Sequence, residues 1–200
     1  MYQLVTGPFA WVAFSIFFFG LILRILFYLL GIKVPGNDTV FERIKRSIRS
    51  VFIWLFPFAS KSFRKNPGFT VSTFIFHIGL ILIPVFLIAH NVILKQKWGF
   101  RFLTLPEATT DVLTIVVIGS IVLVILRRIA LTEVRMMTSP FEYILLIIAG
   151  VTFITGFIAY HQFSNYQFWL ITHIICAEIL LVTIPFWPAS KSEHPKNINR

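Results

Sequence analysis

Cysteine is almost missing from this chain: among 200 residues there is one, Cys176, set inside an apolar run. A single thiol excludes an internal disulfide, cysteine-ligated iron–sulfur clusters and a C-x-x-C-H covalent haem attachment. It reads as a small buried hydrophobe. Charge is also scarce, with 13% of residues Asp, Glu, Lys or Arg and only eight of them acidic. No Walker loop, zinc motif, nucleophile elbow, internal repeat or low-complexity tract occurs. The connections are too bare to house a large catalytic centre.

What remains is apolar. Hydrophobic residues make up 57% of the chain, including 23 Phe, and the mean hydropathy is +0.84. A water-soluble domain of this length cannot hide that much apolar surface, so the solvent for most of it is lipid. Only helices and closed barrels satisfy their backbone there. The runs are long and continuous, not alternating, which selects helices. Five such runs lie at about residues 9–32, 69–94, 109–129, 140–160 and 167–187. The fourth opens on "SPFEY" and the fifth stops at the prolines of "IPFWP". The expected fold is an all-α integral membrane protein, a five-transmembrane-helix bundle forming one domain over residues 1–200. Arg24, inside the first run, is expected to snorkel to the nearer interface.

The net charge of +10 is then a matter of topology, not of nucleic acid. Segment 33–68 carries Lys33, Arg43, Lys45, Arg46, Arg49, Lys61, Arg64 and Lys65, the next connection on that side has Arg127, Arg128 and Arg135, and the tail adds Lys191, Lys196 and Arg200. The opposite side has Lys95, Lys97 and Arg101 alone. The positive-inside rule puts the N-terminus outside and the tail in the cytoplasm. Within 33–68, Phe41, Ile44, Ile48, Val51, Phe52 and Leu55 recur at helical spacing opposite Arg and Lys. That pattern predicts an amphipathic helix on the cytoplasmic side, held by anionic lipid or docking a cytoplasmic partner.

Five histidines stand out in so apolar a chain. His77 and His90 lie in the second run, His173 is early in the fifth, His161 ends the fourth and His194 is in the tail. Ionisable groups inside a membrane are costly and are usually functional. On alternating helices His90 and His173 fall at similar depth near the outer side. Two neutral imidazoles facing each other there can take the axial positions of a haem iron. The alternative for each is a histidine bonded to a neighbouring carbonyl. His77 needs a partner near the inner side, and His194 is the candidate. On straight helices His77 to His90 spans about 20 Å and His173 to His194 about 31 Å, so the two pairs are level only with tilt or non-helical chain after Pro185. His161 reads as a solvated interfacial residue. Glu107 and Asp111, before the third run, and Glu178, in the fifth, are candidate proton-handling groups, with loop solvation or a structural hydrogen bond as the simpler roles.

The "FHIG…H" of the second run, the "LRR" that ends the third, the histidine early in the fifth and "PASKSEH" after it resemble the di-haem cytochrome b subunit of respiratory nitrate reductase. That gamma-subunit family includes membrane cytochromes of sulfate reducers' redox complexes and of heterodisulfide reductase. The resemblance covers about residues 5–195. It implies two haem b groups, bound by His90 with His173 on the outer side and by His77 with His194 on the inner side. It implies menaquinone or ubiquinone as substrate, an iron–sulfur or other redox subunit on the cytoplasmic face, and the inner membrane of a prokaryote. The interval between histidines exceeds that of the nitrate reductase subunit by nearly one turn on both helices, which sets the haems farther apart. The family's lysine near the outer quinol site is not evident; Thr109, Thr110 and Asp111 stand there. The expected function is electron transfer between quinol and a partner subunit. The rival expectation is a haem-free membrane anchor or small transporter.

Overall fold

The computed structural model describes residues 2–30, 41, 42, 44, 45, 48, 49, 56 and 64–186. Among these residues every element is helical, and five segments are long and apolar enough to cross a membrane. The first span starts earlier than expected, at Tyr2. It passes through a π-helical turn, Val5–Phe9, before α1, Ala10–Leu30. The π-turn contains Pro8, which cannot donate to the regular ladder and forces a local change of winding.

The second run is not one helix over 69–94. It is two: α2, Pro67–Phe86, and α3, Ile88–Trp98. They meet at Leu87, which is extended at φ −67°, ψ 133°. Gly99 ends α3 at φ 77°, a left-handed cap open to glycine without penalty. The third span is α4, Glu107–Ala130, followed by the short α5, Thr132–Met137.

The fourth span, α6, is Pro140–His161. It begins with the capping box the "SPFEY" stretch predicts: Ser139 accepts from Glu142 N, and Glu142 accepts from Ser139 N. Glu142 also accepts from Arg128 at 3.0 Å, and Tyr143 donates to the Arg128 carbonyl. The start of α6 is thereby tied to the end of α4. The fifth span is α7, Tyr166–Thr183, closed by a 3₁₀ turn, Ile184–Phe186.

The spans form a sequence of neighbours: α1 packs on α7, α7 on α6, α6 on α4 and α4 on α2. The core lies between α2, α4 and α6 and is built from Phe76, Ile83, Val117, Ile121, Val124, Leu146, Ala149 and Phe153. Gly79 faces Val117 with no room for a Cβ, so α2 and α4 approach closely, as small residues allow in membranes. Buried hydroxyls satisfy themselves on their own helices: Thr110, Thr114, Ser120 and Thr155 each donate to the carbonyl four residues back. Arg24 does not simply snorkel; it donates to the Pro185 carbonyl at 3.3 Å and joins α1 to the end of α7. The predicted amphipathic helix falls largely outside the described residues. Phe41, Ile44 and Ile48 are helical and exposed; Val51, Phe52 and Leu55 are among the residues not described.

Candidate functional site

The break at Leu87 frees three carbonyls that a continuous helix would have used, those of Pro84, Val85 and Phe86. Each finds a new donor. His90 Nδ1 donates to Pro84 O at 2.8 Å, Asn91 Nδ2 to Val85 O at 2.7 Å, and Leu105 N to Phe86 O at 3.1 Å. Asn91 also donates to Leu87 O at 3.0 Å and accepts from Phe102 N at 2.7 Å. It is almost wholly buried, at 2% exposure. In lipid an orphaned backbone carbonyl costs several kcal/mol, so these replacements are what makes the break tolerable. They also set the His90 ring: its Nδ1 carries the hydrogen, which leaves Nε2 with the lone pair.

His173 is set in the same way from another helix. Its Nδ1 donates to the Thr152 carbonyl of α6 at 2.9 Å. Gly156, one turn along α6, allows this; a Cβ there would lie 2.8 Å from Cε1 and 2.9 Å from Nδ1 of the ring. The His90 and His173 rings face each other with centroids 6.1 Å apart and planes 20° from parallel. Both are half-buried. Sequence depth alone predicts this pairing, and the structure brings the two together.

Both rings have Nδ1 anchored on a carbonyl, the outer-shell bond that fixes a ligating histidine. Among the described residues no three His, Cys, Asp or Glu side chains gather as a metal cage; a haem asks the chain for axial ligands only. The donor set therefore fits a bis-imidazole haem.

His77 lies in α2, with Nδ1 donating to the Thr73 carbonyl at 2.8 Å and its ring edge-on to Phe76. Its expected partner, His194, lies outside the described residues. The other candidates are resolved differently from expectation. His161 is not merely solvated: its Nε2 donates to Asp111 Oδ1 at 3.0 Å, with both side chains under a third exposed. Glu107 accepts from the Tyr160 hydroxyl at 2.8 Å. Both expected proton-handling acids of α4 thus have partners at the end of α6 that the sequence reading did not assign. Glu178 faces away from the histidines, into a cavity of about 560 Å³ between the first span and α7, lined also by Val5, Phe9 and Ala13. Among the described residues its buried Oε1 has no hydrogen-bond partner, contrary to the expected structural hydrogen bond.

A protein of Nitratidesulfovibrio vulgaris strain Hildenborough, whose name states no activity, is 39% identical over 191 residues, covering 93% of this chain and 84% of the relative. The chain belongs to the family of that protein. No protein-family model matches it, and no solved structure does. Asn91 is the residue that sequence reading missed. Its signal was an amide set next to His90 at the end of an apolar run.

Proposed function

We propose that this chain is the di-haem b membrane subunit of a respiratory oxidoreductase complex. It passes electrons between the quinol pool and an iron–sulfur or other redox subunit at its basic face. The observation that carries this reading is the apposition of His90 and His173 from separate spans, each with Nδ1 committed to a carbonyl. His77, with the same Nδ1 arrangement, and His194 would hold the second haem. When bound, each haem supplies a one-electron carrier in the membrane. The protein's part is to present Nε2 of each ligand, to hold the rings in apolar surroundings, and to keep the two sites on opposite sides of "IGLILIPVFLIA".

The positive-inside distribution supports an inner-membrane protein of a prokaryote with its N-terminus outside and its tail in the cytoplasm. Arg127, Arg128, Arg135 and the basic segment 33–68 then face the cytoplasm and suit an acidic redox partner there. The substrate on the opposite side is a quinone of the membrane pool.

Purified protein should show a reduced b-type absorption spectrum with about two haems per chain. Correctly folded but colourless protein would overturn the reading. His90→Ala should lose one haem and its quinol-driven reduction. The bundle should survive with lowered stability, because His90 stands outside the core between α2, α4 and α6 but its loss leaves Pro84 O without that donor.

A further inference from the structure

At the end of the bundle that holds His90 and His173, α4 and α6 contribute two paired dyads, Asp111 with His161 and Glu107 with Tyr160. On α4 the two acids are four residues apart and share a face. On α6, Thr152, Gly156 and Tyr160 also recur every four residues. The first two already touch the His173 ring, so Tyr160 stands one turn beyond it on the same line. The His161 ring packs in one cluster with Phe157, centroids 4.5 Å apart, and Phe163, 5.3 Å apart and 12° from parallel, and the two phenyl rings also touch each other at 6.1 Å. Gln162, left-handed at φ 53°, ends α6 and turns the chain so that Phe163 folds back on His161. Bases, a hydroxyl and aromatic walls are thus gathered beside a bis-histidine site, with Glu107 exposed at the water side.

We propose that these dyads form the proton-accepting wall of a hydroquinone site, a role that rests on the quinol reading above. His161 donates through Nε2 to Asp111, so Nδ1 carries the lone pair. A hydroquinone O–H bond breaks and its proton passes to that Nδ1, while the Asp111 carboxylate balances the imidazolium. The second hydroxyl donates to the Tyr160 oxygen, and Tyr160 passes its own proton to Glu107 and so to water. Hydroquinone would become quinone, its two electrons leaving one at a time for the ferric haem that His90 and His173 would hold. Asp111 and His161 take one proton, and Tyr160 with Glu107 takes the other.

The test uses the full-length haem-loaded protein and three single variants, Asp111→Asn, His161→Gln and Tyr160→Phe. Haem reduction is followed after mixing with a menaquinol analogue, and separately with dithionite. Binding of a fluorescent hydroxyquinoline N-oxide, a quinol mimic, is followed by quenching. The Asp111 and His161 variants should keep the wild-type haem content and dithionite-reduced spectrum. Their quinol-driven reduction should slow about 10²-fold, the range for losing a general base, with at least about tenfold weaker N-oxide binding. Tyr160→Phe should slow reduction less while leaving N-oxide binding in place. Haem-loaded Asp111 and His161 variants with wild-type rates and wild-type N-oxide affinity would overturn this assignment and leave the electron-transfer reading intact. Loss of haem from both, with Tyr160→Phe at the wild-type rate, would make the dyads structural and overturn it too. A colourless wild-type protein would overturn the electron-transfer reading itself.

Discussion

The second and third spans cross the same core in different ways. α4 is continuous over 24 residues and buries Thr110, Thr114, Val117, Ser120, Ile121 and Val124 along one stripe. Its hydroxyls close onto their own backbone, so α4 asks nothing polar of its neighbours there. The second span stops and restarts at Leu87, and three of its carbonyls are satisfied from outside the helical ladder. A continuous helix is the least costly way to cross lipid. A broken one persists only where other groups over-determine it, and such places cluster at functional sites. Here one of the freed carbonyls orients the imidazole of His90. The departure from regularity and the candidate ligand are thus the same local structure.

The largest way to break that contrast is Asn91→Leu, which keeps the branched side-chain skeleton and removes the amide's donor and acceptor. Val85 O loses the replacement donor seen among the described residues, and Phe102 N loses its acceptor, in a partly buried setting. At about 1–3 kcal/mol for a polar group left unpaired away from water, and with both groups partly buried, the expected loss is about 2–3 kcal/mol. The loss should appear as a lower thermal midpoint in detergent, together with lost outer-haem absorbance. A hydroxyl-to-apolar swap such as Thr114→Val on α4 should cost far less, because Thr114 donates only to the Thr110 carbonyl of its own helix. Equal costs at the two sites would mean that Asn91 does not hold the break.

Gly156→Ala is an intermediate case and separates geometry from stability. The added methyl meets the His173 ring inside 3 Å, so the ring has to rotate or withdraw from Thr152. If His90 and His173 hold a haem, as proposed, the expected result is an altered spectrum and midpoint potential of that haem, with a stability within about 1–2 kcal/mol of wild type. An unchanged spectrum would show that the ring has slack the structure does not suggest.

Much of this was legible beforehand, and the reasons differ by residue. Five apolar runs longer than a bilayer is thick leave few alternatives, and the Ser139–Glu142 box marks a helix start by local chemistry alone. His90 and His173 could be matched because membrane depth turns residue counting into a coordinate. Pairings between side chains at the same depth on different helices could not be read in that way. His161 and Asp111 are 50 positions apart, and helix rotation, which decides whether they meet, is set by packing. Glu178 turned out to face α1 for the same reason. The break at Leu87 was hidden because the residue that suggests a kink, Pro84, lies three positions earlier. The residue that stabilises the break, Asn91, lies four positions later.

That offset makes Pro84→Ala the smallest and sharpest test. A proline removes its own N–H and so disturbs the carbonyl four residues before it, that of Leu80. The carbonyls left over at Leu87 are instead those of Pro84, Val85 and Phe86, and their partners belong to His90, Asn91 and Leu105. Alanine at position 84 restores one donor toward Leu80 and takes nothing from those three bonds, since the residue 84 carbonyl is retained. The expected result is an unchanged spectrum of the haem proposed at His90 and His173 and a stability within about 1 kcal/mol of wild type, the usual range for a change that leaves no buried group unpaired. If Pro84→Ala instead abolished the outer-haem signal, the proline would be what breaks the span, and the side-chain bonds of His90 and Asn91 would be a consequence of the break.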